Sequence, residues 1–147
     1  PEMVEQCHTN MSQVVGPDAE YEVPIRWVYQ KSNHQLMLDG VIDADDGHTI
    51  WEFKCVDRLR LEHKLQLVIY AYMWHKTKEV DHGSRIYKLF NIRNGQLWII
   101  SPSKAIWAAA KDIVAILADR VFETNPDRSE AEFLRDCAKA RLIYGME

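Results

Sequence analysis

Three residues near the middle of the chain have the types and spacing for hydrolytic chemistry. Asp43 closes the run Gly40-Val41-Ile42-Asp43, and nine positions later comes Glu52, in Glu52-Phe53-Lys54. Side chains alternate along a strand, so Glu52 and Lys54 point to one face while Trp51 and Phe53 point to the other. The aromatic pair is expected to face the core, leaving a carboxylate and an ammonium side by side on a strand otherwise suited to burial. If the segments flanking Ala44-Asp45-Asp46-Gly47 close as a hairpin, Asp43 comes near Glu52. Two carboxylates converging beside a lysine suit Mg2+ or Mn2+, which accept one or two carboxylates, a main-chain carbonyl, water and phosphate oxygens. Such an ion polarises a phosphodiester and lowers the pKa of a bound water. Lys54 is then placed to orient or deprotonate that water, or to offset the oxyanion. Glu-x-Lys alone is more often a solvated surface pair, so its weight depends on the elements around it.

Those elements read as a mixed α/β order. Pro1 to Val15 is a helix candidate closed by Gly16-Pro17. Tyr21 to Tyr29 is β-branched and aromatic, a strand whose Pro24 suggests an edge or a bulge. The polar turn 31–34 leads to a second strand, Gln35 to Asp43, and the turn at Gly47 to a third, Thr49 to Lys54. From Leu61 the period becomes helical, with Leu61, Leu65, Val68 and Tyr72 as the packing stripe of a helix to about His75. Arg85 to Asn91 and Gln96 to Ile100 form two more strands joined through Asn94-Gly95, a strong hairpin signal. Ser103 caps a long helix to about Phe122, and Ser129, with Glu132 at the capping-box position, opens a last helix to Tyr144. The fold class expected is α/β with a small, mixed, largely antiparallel sheet flanked by helices. Asp43 to Gly47 looks like a calcium loop, but glycine stands at position five and Lys54 at twelve, so it is a turn.

Composition sets the outer limits. The chain has 147 residues, 47% hydrophobic and 27% charged, which suits one soluble domain spanning 1–147. No apolar run approaches the roughly 20 residues of a membrane span. A net charge of −4 excludes a bulk polycation that coats nucleic acid, though not a local basic groove. Cys7, Cys55 and Cys137 are sparse and odd in number, which points to a reducing, intracellular setting and not a secreted one. Cys55 is read as a small buried residue. Without a leading methionine at Pro1, the chain reads as a segment of something longer. Most of the five tryptophans read as core and none is assigned a base-stacking role, while Arg135, Lys139 and Arg141 read as solvent-facing or as flanks of a DNA groove.

The helix after the third strand carries Gln66-Leu67-Val68-Ile69-Tyr70, with Gln66 and Tyr70 four apart on one face and His63 beside them. GVID, then IWEFK, then this element resemble the PD-(D/E)XK nuclease superfamily. The Gln-x-x-x-Tyr spacing is similar to that of its RecB-like, Cas4-like and lambda-exonuclease-like branch. The likeness covers roughly residues 20–100. It implies a restriction-endonuclease-like αβββαβ core with additional C-terminal helices. It implies that Asp43 and Glu52 are metal ligands, with the main-chain carbonyl of Phe53 a third, and that Lys54 is the catalytic lysine. Gln66 and Tyr70 match helix residues that support the active site and contact the DNA backbone. Glu22 matches a first-strand glutamate ligand more loosely. His8 is the histidine of the first helix, where several relatives have a ligand, but no flanking motif supports it and it reads as solvated.

Two features depart from the pattern. Cluster-bearing relatives have one cysteine upstream and three downstream, which this chain cannot supply, so no iron–sulfur cluster is expected. The acidic net charge is unusual for a phosphate-binding enzyme; Arg58, Arg60 and Lys64 make either a local phosphate-contacting rim or a solvated loop. The resemblance implies a Mg2+- or Mn2+-dependent deoxyribonuclease. An end-processing exonuclease of replication, recombination or repair is the first choice. Fusion to or association with a helicase is common in such domains, as is encoding by phages and large DNA viruses. The rivals are a structure-specific or RNA-directed endonuclease of the same fold, and a catalytically silent nucleic-acid-binding or assembly domain. DNA is the partner expected, RNA the alternative, and no membrane.

Overall fold

The order of elements follows from where hydrophobic periodicity switches between two and 3.6 residues. The computed structural model describes residues 2–124. Helix α1 (Glu2–Val14) precedes strands β1 (Glu20–Lys31), β2 (His34–Asp45) and β3 (Thr49–Lys54). Helix α2 (Leu61–Thr77) and the single turn α3 (Glu79–His82) lead to β4 (Ile86–Asn91), β5 (Leu97–Ile100) and α4 (Lys104–Thr124). The helix expected from Ser129 to Tyr144 lies outside the described residues, together with Arg135, Lys139, Arg141 and Cys137. Among the described residues no helix is long and apolar enough to cross a membrane.

The five strands form one open sheet in the order β1-β2-β3-β4-β5. All neighbours are antiparallel except β3 and β4, which run parallel because α2 carries the chain back between them. Turn chemistry at the two tight connections matches the residues present. Gly47 has φ 88° beside Asp46, whose carboxylate accepts the amides of His48 and Thr49 and the indole N–H of Trp51. Burial works against ionisation of Asp46, but these three donors outweigh it and hold the carboxyl below its ordinary range. Gly95 has φ 80°, and its amide donates to the Asn91 carbonyl at 2.8 Å, closing the β4–β5 hairpin. Ser103 caps α4 through Oγ, which accepts the Ile106 amide at 3.1 Å.

The main core lies on the α2 side of the sheet, where Ile25, Ile42, Ile50, Tyr87 and Leu89 meet Leu67, Tyr70, Ala71 and Trp74. Two expectations about packing are corrected here. Leu61 is 68% exposed, and α2 packs on the sheet through Leu67, Tyr70, Ala71 and Trp74, the face that carries Gln66 and Tyr70. Tyr72 instead meets α4 at Ala110 and Val114, and Val68 touches both clusters, so α2 is covered on two sides and has no single stripe. Trp51 and Phe53 do not join the main core. They form a smaller cluster with Ala44, Phe90 and Val15 on the opposite face, below α1.

Candidate active site

The alternation of β2 breaks at Asp43. Ile42 packs in the main core while Ala44, two residues on, packs with Trp51 on the other face. Unbroken alternation would put both on one side. Opposite this point in β1, Glu22 has φ 54° between the register pairs Tyr21–Ala44 and Val23–Ile42. The two strands therefore kink together. Strand β2 pairs with β3 only through Ala44–Trp51 and Asp45–Ile50, and then the two diverge. Asp43 and Glu52 stand where the fork opens.

Backbone amides fix both carboxylates. The Phe53 amide donates to Asp43 Oδ2 at 2.8 Å, and the Asp43 amide donates to Glu52 Oε1 at 3.3 Å. Glu52 is 1% exposed and Lys54, two residues along the same strand face, is 3% exposed; Asp43 is half-buried. Burial pushes the Glu52 carboxyl well above its ordinary pKa, and contact with the Asp43 carboxylate pushes it further; the Lys54 ammonium opposes both. Two touching carboxylates, one of them buried, are stable only with a shared proton or a cation between them.

That arrangement fits a divalent cation of the oxygen-seeking class. The protein supplies two carboxylates, with Phe53 held beside Asp43 by its own amide, and such ions keep several positions for water or substrate oxygens. Among the described residues no group of three or more His, Cys, Asp and Glu side chains converges to form an all-protein cage.

Helix α2 brings Tyr70 against Gly40 of β2, three residues before Asp43, with Gln66 beside it. The Gln66 amide nitrogen lies 3.4 Å from the Tyr70 hydroxyl, and Gln66 Oε1 is buried with no hydrogen-bond partner among the described residues. Tyr70 sits directly over Gly40: a Cβ there would fall 2.7 Å from Cε1 and 2.9 Å from the hydroxyl oxygen. Gly40 is a close-packing position that spacing alone left without a role, although a glycine inside a strand is itself a signal of close approach. His63 is buried at the start of α2, and its Nδ1 accepts the Arg60 amide at 3.0 Å.

Among the described residues the other candidates share no hydrogen bond with Asp43 or Glu52, although Glu22 stands opposite Asp43 across the β1–β2 ladder. Glu22 is exposed, and no hydrogen bond among the described residues joins it to Asp43 or Glu52. His8 is exposed on α1. Arg58 and Arg60 are exposed on the loop after β3, while Lys64 lies over the Trp98 ring at 5.4 Å. That loop is clamped by β4 and its hairpin. Asn91, fully buried, donates to the Val56 carbonyl at 2.7 Å, accepts the Val56 amide at 3.2 Å, and Gln96 Oε1 accepts the Leu59 amide at 3.0 Å. Cys55 is exposed, contrary to the expectation of burial, because it is the first residue past the strand end.

Compared with known proteins, the sequence matches no family model and no curated protein. Among solved structures it is similar to one described as the crystal structure of SSO0001, with 19% identity and a TM-score of 0.44. The likeness covers 77% of this chain and 59% of the other, so the chain spans little more than half the length of that neighbour. A likeness of this size assigns neither a family nor an activity.

Proposed function

We propose that the protein is a metal-dependent nuclease that hydrolyses DNA phosphodiester bonds, acting as an end-processing exonuclease. One observation carries this reading: a buried glutamate is pressed against a second carboxylate at a strand fork, with a buried lysine on the same strand face. Burying two adjoining carboxylates is costly for a fold, and a bound cation offsets that cost when no proton is shared between them.

Asp43 and Glu52 would hold Mg2+ or Mn2+, with the Phe53 carbonyl as a further ligand. When bound, such an ion supplies charge neutralisation at the phosphate and an acidified water. Lys54 lies next to the acids on β3, where its ammonium orients the attacking water or offsets charge on the phosphoryl oxygens. Tyr70, seated on Gly40, and Gln66 position the scissile strand, and the buried Gln66 Oε1 is an acceptor for an ordered water. The exposed Arg58 and Arg60, on a loop made rigid by Asn91 and Gln96, supply cations for phosphates beyond the cleavage point. This reading also carries the expected partner, DNA, and association with helicase or recombination machinery.

The test uses linear double-stranded DNA and its covalently closed circle, each with Mn2+ and with EDTA, beside Asp43→Ala. Metal-dependent loss of the linear form alone, absent in the variant, is the expected result. Cutting of the circle would replace exonuclease with endonuclease. Persistence of both, together with an intact RNA substrate, would overturn the nuclease reading and leave a binding domain.

A further inference from the structure

Cys7 Sγ on α1 and Cys55 Sγ just past β3 lie 3.5 Å apart, although 48 residues separate them. The two have unequal freedom. Cys55 is held on both sides: the Lys54 carbonyl accepts the Ile92 amide at 2.8 Å, and Val56 is bonded through both backbone groups to the Asn91 side chain. Helix α1 buries none of its residues. Besides the thiol contact it is fastened by Asn10, which donates to the Ile92 carbonyl at 2.7 Å, and by Val15 just beyond its end. A disulfide needs its sulfurs at about 2.05 Å. The remaining approach of roughly 1.5 Å falls to a helix with no buried anchor, so it can close without disturbing the strand that carries Lys54. Cys55 is exposed, so a small disulfide in solution can reach it.

We infer that Cys7 and Cys55 form a site of reversible oxidation, a disulfide that fastens α1 to the sheet at the end of the active-site strand. The oxidant is a low-molecular-weight disulfide such as oxidised glutathione. One cysteine, as thiolate, attacks a sulfur of that disulfide, forming a mixed disulfide and releasing one glutathione thiolate. The second cysteine attacks the protein sulfur of the mixed disulfide and releases the other glutathione. Two protein thiols become one disulfide, two electrons reduce glutathione disulfide to two glutathione molecules, and the two thiol protons pass to them. The proposal does not depend on the nuclease reading.

The full 147-residue chain, reduced and then equilibrated across glutathione redox ratios, would be alkylated and mapped with trypsin. The expected product links the peptide ending at Arg26 to Cys55-Val56-Asp57-Arg58. It appears in preference to a glutathione adduct on either cysteine and is reversed by dithiothreitol. Cys7→Ser and Cys55→Ser each abolish it and leave the remaining partner as a glutathione adduct. Closing a loop of this length should raise the melting temperature of the oxidised wild type on the order of 10 °C over the reduced form. If wild type accumulates only glutathione adducts, or links Cys137 instead, the site is refuted. A crosslink that leaves the melting temperature unchanged or lowers it would refute the fastening role. The wild-type map decides the pairing even if a serine variant fails to fold.

Discussion

Two buried charge clusters lie along β2, β3 and the residue before β4, and they differ in how their charges are matched. At one end Arg85 donates through Nε to Asp45 Oδ1 at 2.9 Å and through Nη2 to Oδ2 at 3.4 Å. Its Nη1 donates to the His82 carbonyl at 2.6 Å, and the guanidinium lies 4.8 Å from the Trp74 ring centroid. Charge is matched one for one and the planar fork is used in full. At the other end, Asp43 and Glu52 meet with Lys54 as the neighbouring cation, and Glu52 is driven toward its protonated form. The first cluster ties β4 to the β2–β3 turn and is complete. The second sets two carboxylates against each other, with burial and Asp43 both raising the Glu52 pKa and Lys54 only partly offsetting them, the kind of perturbation that marks a candidate functional site.

Lys54→Ala should cut nuclease activity by about 10²–10⁴-fold while the chain stays folded, the range for losing a charge-stabilising or proton-transferring group. A variant that cleaves at the wild-type rate would remove Lys54 from the mechanism. Arg85→Ala should do the reverse. Leaving Asp45 without its partner is expected to destabilise the protein by about 3–5 kcal/mol in denaturant melts, with the per-molecule activity of the folded fraction kept. Equal stability would mean that the Asp45 end is not the structural one.

Glu52→Gln sharpens the comparison through pH. With its pKa raised in the fold, Glu52 contributes stability that is complete below the ordinary carboxylate range and is lost as pH rises through the raised value. In EDTA the wild type should therefore lose stability on going from pH 5 to pH 8, and Glu52→Gln should flatten that slope while abolishing cleavage. Mn2+ should restore stability to the wild type at pH 8 and not to the variant. Matching slopes in the two proteins would show that Glu52 is not the strained carboxyl. The smallest effects lie in the helix-borne support. Gly40→Ala, which forces its methyl into the Tyr70 ring, should cost about 1–3 kcal/mol and lower activity. Gln66→Ala should slow cleavage about tenfold with little change in stability. An unchanged rate would detach Gln66 from the site.

The elements were legible wherever local chemistry decides them. Asn94-Gly95 marked the β4–β5 turn, Ser103 marked the start of α4, and the convergence of Asp43 with Glu52 followed from a hairpin closing at Gly47. What escaped depends on tertiary context. A helix packed on the sheet by one face and on α4 by another gives no clean period, so the stripe read from Leu61, Leu65, Val68 and Tyr72 misses the face with Gln66 and Tyr70 that meets the sheet. The reach of Glu22 was obscured because a left-handed residue in β1 resets which way its side chain is carried. Nothing local connects Cys7 with Cys55, since their meeting is made by the docking of α1.

The two-pair seam between β2 and β3 has a kinetic consequence. The β1–β2 ladder starts at Lys31–His34 and zips outward from a tight turn, so it can form as soon as its own residues are available. The parallel pairing of β3 with β4 must wait for the α2 crossover, a slower closure because the loop entropy is met before any contact rewards it. Asp43 belongs to the early unit and Glu52 to the late one. A chain caught midway through synthesis or refolding thus has its acids apart, and the Asp43–Glu52 pair is assembled only with the last join.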